Sequence, residues 1–191
     1  MKKVKLGAQT LLYPMPAVLV GTLVNGKSTF MTAAWCGIVA STPPAISVSV
    51  RPARYTFEGI SANGTFSINV PSANLAEKVD FCGIYSSHKV DKSQIFKVDF
   101  GELNTAPLIQ ECPVNLECRV IGSLDLGSHT LFIGEITETF VNEDCLTADG
   151  KADPMKIDPL IYTTGSRQYQ RLGEVVGRAW ELGKELGSGH K

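Results

Sequence analysis

Apolar and polar positions alternate with a period of two along much of the first half of the chain, the pattern of half-buried β-strands. Ala17–Val24 and Lys27–Ala33 are β-rich and flank Asn25-Gly26. Asn-Gly favours a type I′ turn because both central residues need positive φ, so the two runs predict a hairpin. A loop ending in Thr42-Pro43-Pro44 follows. Then Ile46, Val48 and Val50 alternate with Ala45, Ser47 and Ser49, which predicts a third strand over Ala45–Arg51. A short helix is expected around Thr56–Ala62. Gly64 breaks it, and Thr65–Val70 reads as a fourth strand closed by Pro71.

Further along, Ser72 or Asn74 is placed to cap a helix running to about Phe81, since Glu77 lies three residues after Asn74. From Cys82 to Thr105 the pattern weakens into a long polar segment of the kind that is often functional in compact domains. The clearest strand is Val114–Leu126. Val114, Leu116, Cys118, Val120, Leu124 and Leu126 face one way; Asn115, Glu117, Arg119, Ser123 and Asp125 face the other. A turn through Gly127-Ser128-His129 leads to a partner at Thr130–Val141, and Leu160–Thr163 is a short last strand. Leu172, Val175, Val176, Ala179 and Leu186 follow a 3.6-residue period and predict a C-terminal helix over about 172–187, ended by Gly187. Many short strands and few helices predict a mainly β single domain over 1–191. A closed barrel is the expected form, because closure removes exposed sheet edges.

Composition narrows the class. Hydrophobic residues are 43% of the chain, enough for a sizeable core. The formal net charge of −1 argues against a general nucleic-acid or membrane-surface binder, whose footprint is excess positive charge. Lys2, Lys3 and Lys5 before the apolar stretch Leu11–Val24 loosely imitate a secretory signal. Pro14 and Pro16 interrupt it, and the stretch reads instead as a strand leading into the hairpin. The five cysteines contain no CxxC pair, so reduced, mostly buried thiols in a cytoplasmic protein are expected.

Nucleotide and metal motifs are missing. The sequence has no GxGxxG, no GxxxxGK[ST], no HExxH and no GxSxG, and its three histidines are far apart, so no metal site is expected. What remains is a set of small polar and cationic residues near the first strands. Ser28-Thr-Phe-Met-Thr-Ala-Ala-Trp35 leaves a strand with small side chains that let backbone groups approach a flat ligand. Arg51 and Arg54 stand at a strand end beside Ser49, Tyr55 and Thr56, an arrangement suited to phosphate. Lys89-Val-Asp-Lys92 supplies a further cation, and His129 occupies a hairpin tip. Taken singly, each has a bland alternative: Trp35 as a core aromatic, the arginines and lysines as solvated surface, His129 as part of a polar turn.

Taken in order, the segments resemble the flavin reductase-like, FMN-binding split-barrel family, in particular its flavoredoxin branch. They are Pro16–Val20, Thr29–Trp35, Pro43–Arg51, Arg54-Tyr-Thr56, Gly64–Val70, Val90-Asp-Lys92, His129–Glu135, Pro159–Tyr162 and Tyr169–Gly173. The resemblance implies a six-stranded antiparallel split β-barrel, a homodimer and FMN near the subunit interface. It implies that Thr29, Thr32, Ala33, Ala34 and Trp35 line the isoalloxazine and ribityl chain. Ser49 and Arg54, with Thr56 close by, fall near the phosphate. Lys92 matches the lysine of an Asp-Lys motif, His129 a histidine near the flavin, and Tyr162 an aromatic residue near the ring that the other subunit can supply. A cation near flavin N1, Lys92 or a protonated His129, would stabilise the reduced ring. Tyr85-Ser-Ser-His88 departs from the family's Ser-Gly and leaves the roles of Lys89 and Lys92 open.

The function implied is an FMN-binding oxidoreductase. It takes hydride from NAD(P)H as a transient donor and passes electrons to a small-molecule acceptor or a redox partner protein. The alternative is an FMN-binding electron carrier reduced by a partner protein, with no nicotinamide site of its own. Neither nucleic acid nor membrane is expected as a partner, and no catalytic side chain is singled out.

Overall fold

The Asn25-Gly26 turn forms as expected, with φ 51° at Asn25 and 74° at Gly26. A computed structural model describes residues 1–184 and residue 186. The chain enters through β1 (Met15–Pro16), and the hairpin joins β2 (Val18–Val24) to β3 (Lys27–Ala33). Next come β4 (Cys36–Ser41), β5 (Pro44–Val50), α1 (Tyr55–Asn63) and β6 (Thr65–Val70). A 3₁₀ turn at Ala73–Leu75 leads into α2 (Ala76–Ile84). The short strands β7 (Val98–Asp99) and β8 (Leu108–Ile109) pair with each other before the long hairpin of β9 (Val114–Asp125) and β10 (Thr130–Val141). The one-turn helix α3 (Pro154–Ile157) precedes β11 (Ile161–Thr163) and β12 (Gln168–Gln170). These last two strands form a small sheet with β1.

The main sheet is antiparallel, with order β3-β2-β6-β9-β10-β5-β4. It has seven strands where six were expected. The extra strand is β4, read from sequence as loop. Its two ends of the order matter more than the count. The edge strands β3 and β4 are consecutive in the chain and joined only by Ala34-Trp35, so Ala33 and Cys36 lie at most about 11 Å apart. That tether bends the sheet into a barrel with a seam. Trp35 O accepts the N–H of Ser49 at 3.0 Å, which carries the β4–β5 ladder one residue into the tether.

Two apolar cores flank β2 and β3. Inside the barrel lie Val20, Met31, Val48, Phe66, Ile68 and Phe132, among others. On the outer side, Leu19 and Phe30 pack with Val79 and Cys82 of α2 and with Phe96, Ile109 and Cys112. Burial on both faces explains why β2 is an almost continuous apolar run rather than an alternating one.

The second face of β9 is covered at its start. Asn115 and Glu117 are buried there, while Arg119, Ser123 and Asp125 of the same face are not among the buried residues. The carboxylate of Glu117 pairs with no cation among the described residues; it accepts backbone N–H groups of Gly101 (3.0 Å), Glu102 (3.1 Å) and Leu103 (3.2 Å). Asn69 bridges β6 to β8 by accepting from Ile109 N at 2.8 Å and from Asn115 Nδ2 at 2.7 Å.

The helix expected over 172–187 does not form across 172–183, which is irregular up to 178 and turned at 179–183. Gly173 and Gly177 each weaken a helix by roughly 1 kcal/mol. Gly177 adopts φ 152° and Trp180 φ 61°. Val175 and Val176 are 78% and 90% exposed, so no core rewards helix formation. Residues 185 and 187 of that expectation lie outside the described residues. All five cysteines are free thiols. Among the described residues no helix is long and apolar enough to cross a membrane.

Candidate functional site

A cavity of about 300 Å³ opens on the barrel seam. Its floor is the end of β3 and the tether: Thr32, Ala33, Ala34 and Trp35. Because β3 is an edge of the main sheet, its outer backbone groups have no strand partner among the described residues. Small side chains keep that backbone within reach of a flat ligand. Ser49 and Arg51, from the end of β5, and Arg54, at the start of α1, line one side. His129 reaches in from the β9–β10 turn and Tyr162 from β11.

The two guanidinium groups are held without carboxylates. Arg54 Nη1 donates to Gly83 O, near the C-terminus of α2, at 3.2 Å. Arg51 Nε donates to His129 Nε2 at 3.3 Å. No ion pair among the described residues includes either arginine. An imidazole nitrogen that accepts from Arg51 is unprotonated, so the proton lies on Nδ1, 2.9 Å from Ser128 Oγ. Burial and the Arg51 charge both lower the His129 pKa. A protonated His129, expected from sequence as a possible cation near the flavin, is therefore disfavoured in this arrangement. The indole of Trp35 lies against the imidazole, with ring centroids 4.9 Å apart.

Three expected site residues lie elsewhere. Thr56 is buried within α1. Thr29 and Lys92 border a neighbouring polar hollow of about 390 Å³ with Lys27, Tyr55, His88 and Asp91. Thr29 Oγ1 donates to Ser87 Oγ at 2.6 Å. Lys92 is only 2% exposed; its Nζ donates to Phe30 O at 3.1 Å and to Cys82 O at 3.0 Å. Burial lowers the Lys92 pKa, and nearby Arg54 adds to the effect. Lys92 thus clamps β3 to the C-terminal end of α2, where a cation is favoured by the helix dipole. Lys89 lines the same hollow.

Sequence reasoning missed a second group. Asp80 and Gly83 of α2, Tyr162, Arg167 and Tyr169 line a compartment of about 340 Å³ that shares Thr32, Ala34 and Tyr162 with the seam cavity. Tyr169 Oη donates to Asp80 Oδ1 at 3.1 Å. Of this group the sequence singled out Tyr162 as a site residue and carried Tyr169 at the head of the last resembling segment; Asp80 reads as an ordinary helix residue.

Fold and cavity together define a barrel whose seam suits a flat ligand with an anionic end. The flavin reductase like domain family matches residues 10–173. The flavoredoxin of Methanosarcina acetivorans superposes with a TM-score of 0.94 at 42% identity, covering 97% of this chain and 100% of that one. The flavoredoxin of Desulfovibrio vulgaris (Miyazaki F) gives 0.89 at 41% identity, covering 95% and 100%. An FMN reductase (NADH) of Acinetobacter baylyi is 30% identical over 117 residues, 59% of this chain and 58% of that protein. The chain therefore belongs to the flavin reductase like domain family of flavin-dependent oxidoreductases, in its flavoredoxin branch.

Proposed function

We propose that the seam cavity holds FMN and that the protein is a reductase, taking hydride from NADH or NADPH and passing electrons to a separate acceptor. One observation carries the reading: two guanidinium groups, Arg51 and Arg54, line a single cavity without a carboxylate partner among the described residues. A phosphate dianion satisfies both, and the hydroxyl of Ser49 adds a donor. The free edge of β3 at Thr32–Ala34 offers N–H and C=O groups to a heterocycle, while Trp35, His129 and Tyr162 supply flat walls. Thr29, Thr56 and Lys92 support the site from behind β3 and α1 rather than lining it. When bound, the flavin accepts and releases the electrons, and the protein orients it and tunes it by hydrogen bonds and charge.

In this reading the protein is a cytoplasmic homodimer, in keeping with its free thiols and its exposed apolar tail. The second reading, an FMN-binding carrier reduced by a partner protein, is favoured by the likeness to two flavoredoxins. Anaerobic stopped-flow mixing of the FMN-loaded protein with NADH and NADPH separates the two. Bleaching of the oxidised-flavin band within seconds is expected. A band unchanged by both nicotinamides but bleached by dithionite or a reduced iron–sulfur protein would leave only the carrier.

A further inference from the structure

The compartment beside the seam cavity is built from α2 on one side and the β11–β12 turn on the other. It opens onto the same Thr32–Ala34 strip, so a ligand seated there meets the seam cavity directly. Its polar groups are of two kinds. Asp80 is oriented by Tyr169, whose phenol donates to Oδ1, and Oδ2 has no hydrogen-bond partner among the described residues. Burial, followed by the Asp80 charge, raises the Tyr169 pKa, so the phenol keeps the proton it donates. Arg167 likewise has no partner among the described residues. It stands at φ 53°, a left-handed conformation that costs a side-chain-bearing residue energy and is kept where the surroundings impose it. The turn is pinned from outside by Tyr13 Oη, which accepts Gly165 N–H at 2.9 Å.

One acceptor and one planar donor fork facing a small cavity match a ligand that carries an N–H donor and a carbonyl on one plane. A carboxamide has both. We propose that this compartment receives the nicotinamide carboxamide of the electron donor, with Asp80 accepting its N–H and Arg167 donating to its carbonyl. The proposal rests on the reductase reading for the identity of its ligand, while the seat itself is tested by binding. Gly83 leaves the space open: a Cβ there would meet Thr32 Cβ at 3.5 Å, an ordinary contact, so the glycine is not required by the fold.

The test uses FMN-loaded protein and three variants: Asp80→Ala, Asp80→Asn and Arg167→Ala. FMN affinity, the KM for NADH and NADPH, and calorimetric binding of NAD⁺ and NADP⁺ to the oxidised protein are measured for each. Asp80→Ala and Arg167→Ala should raise the KM about tenfold, the loss of one charge-assisted bond. FMN affinity should stay within about twofold, because neither side chain lines the seam cavity. Asp80→Asn, which keeps a carbonyl acceptor, should recover part of the loss. The wild type should prefer NADH to its 3-acetylpyridine analogue, which lacks the N–H, and Asp80→Ala should erase that preference. If the wild type is reduced but the variants keep its KM and its preference, the compartment proposal is overturned while the reductase reading stands. If the oxidised nicotinamides bind, and more weakly in the variants, yet the wild type is not reduced, the reductase reading fails and the seat stands. Neither binding nor reduction overturns both.

Discussion

Arg51 holds His129 in its neutral form: the guanidinium donates across 3.3 Å to Nε2, the nitrogen that would otherwise carry the second proton. Burial is the larger cause that lowers the His129 pKa, and the Arg51 charge adds to it. The sign of the linkage follows. Below the ordinary imidazole value the unfolded chain binds the proton more readily than the folded one. This residue's contribution is therefore constant above about pH 6.5 and becomes destabilising as pH falls below it. Arg51→Met removes one of the two causes, so an NMR titration of the His129 ring should show its midpoint rise. A midpoint that stays put or falls would exclude the Arg51 contact as a control on His129.

Arg54 is tied to the cavity differently. Its guanidinium rests on the Gly83 carbonyl and has no ion-pair partner among the described residues. Arg54→Ala should weaken FMN binding about tenfold or more, the worth of a charge-assisted bond of roughly 1.5–3 kcal/mol. Riboflavin, which has no phosphate, should be affected far less. Titrations monitored by flavin fluorescence compare the two, and equal losses would remove Arg54 from the phosphate end.

The hairpin β2–β3 and strand β5 are legible in the sequence because Asn25-Gly26 fixes a turn and Ile46, Val48 and Val50 alternate cleanly. Strand β4 is not. It is an edge with a register shift between Ile38 and Ala40 and two exposed apolar residues, Ile38 and Val39, so no period of two survives. Glu117 and Asn115 read only as the polar face of β9, because alternation does not show that the segment just before the strand folds back to accept and donate their hydrogen bonds. The site divides the same way. Thr32–Trp35, Ser49, Arg54, His129 and Tyr162 meet on one cavity. Lys92 carries the charge of a ligand residue, yet its two carbonyl partners make it a clamp between β3 and α2, a role set by tertiary contacts alone.

Glu117 should be a large determinant of stability. Its carboxylate satisfies three backbone donors of the 101–103 loop. Glu117→Ala strands those donors and should destabilise by about 3–5 kcal/mol. Gly101→Ala attacks the same contact from the other side, because a Cβ there would fall 2.6 Å from the carboxylate. Urea denaturation should show both variants with lowered midpoints. A wild-type midpoint in either would mean the loop can re-seat without this contact.

No cysteine should be needed for electron transfer. Burial pushes the Cys36 thiol up to about 12 and the Cys82 thiol to about 11, and it raises Cys112 and Cys118 as well. Thiols so shifted stay protonated near neutrality and are poor nucleophiles. Single Cys→Ser or Cys→Ala variants are expected to lose stability where the thiol is buried, yet to retain flavin reduction. A variant that binds FMN normally but is no longer reduced would show that a thiol takes part.

The C-terminal tail bears on assembly. Trp180 is 93% exposed, and Val175, Val176 and Leu182 are exposed near it in sequence, on a stretch with no helix to hold them. Large apolar side chains left in water each forgo roughly 1.5–3 kcal/mol of burial. A two-fold dimer would bury such a segment from both protomers at once. Sedimentation of the FMN-loaded protein at micromolar concentration should give a mass near twice 20.6 kDa. Removing residues 174–191 should shift the equilibrium toward monomer while leaving the barrel's thermal unfolding cooperative. A full-length protein that sediments as a monomer with FMN bound would mean that the exposed tail covers no second copy, and that the seam cavity is complete within one chain.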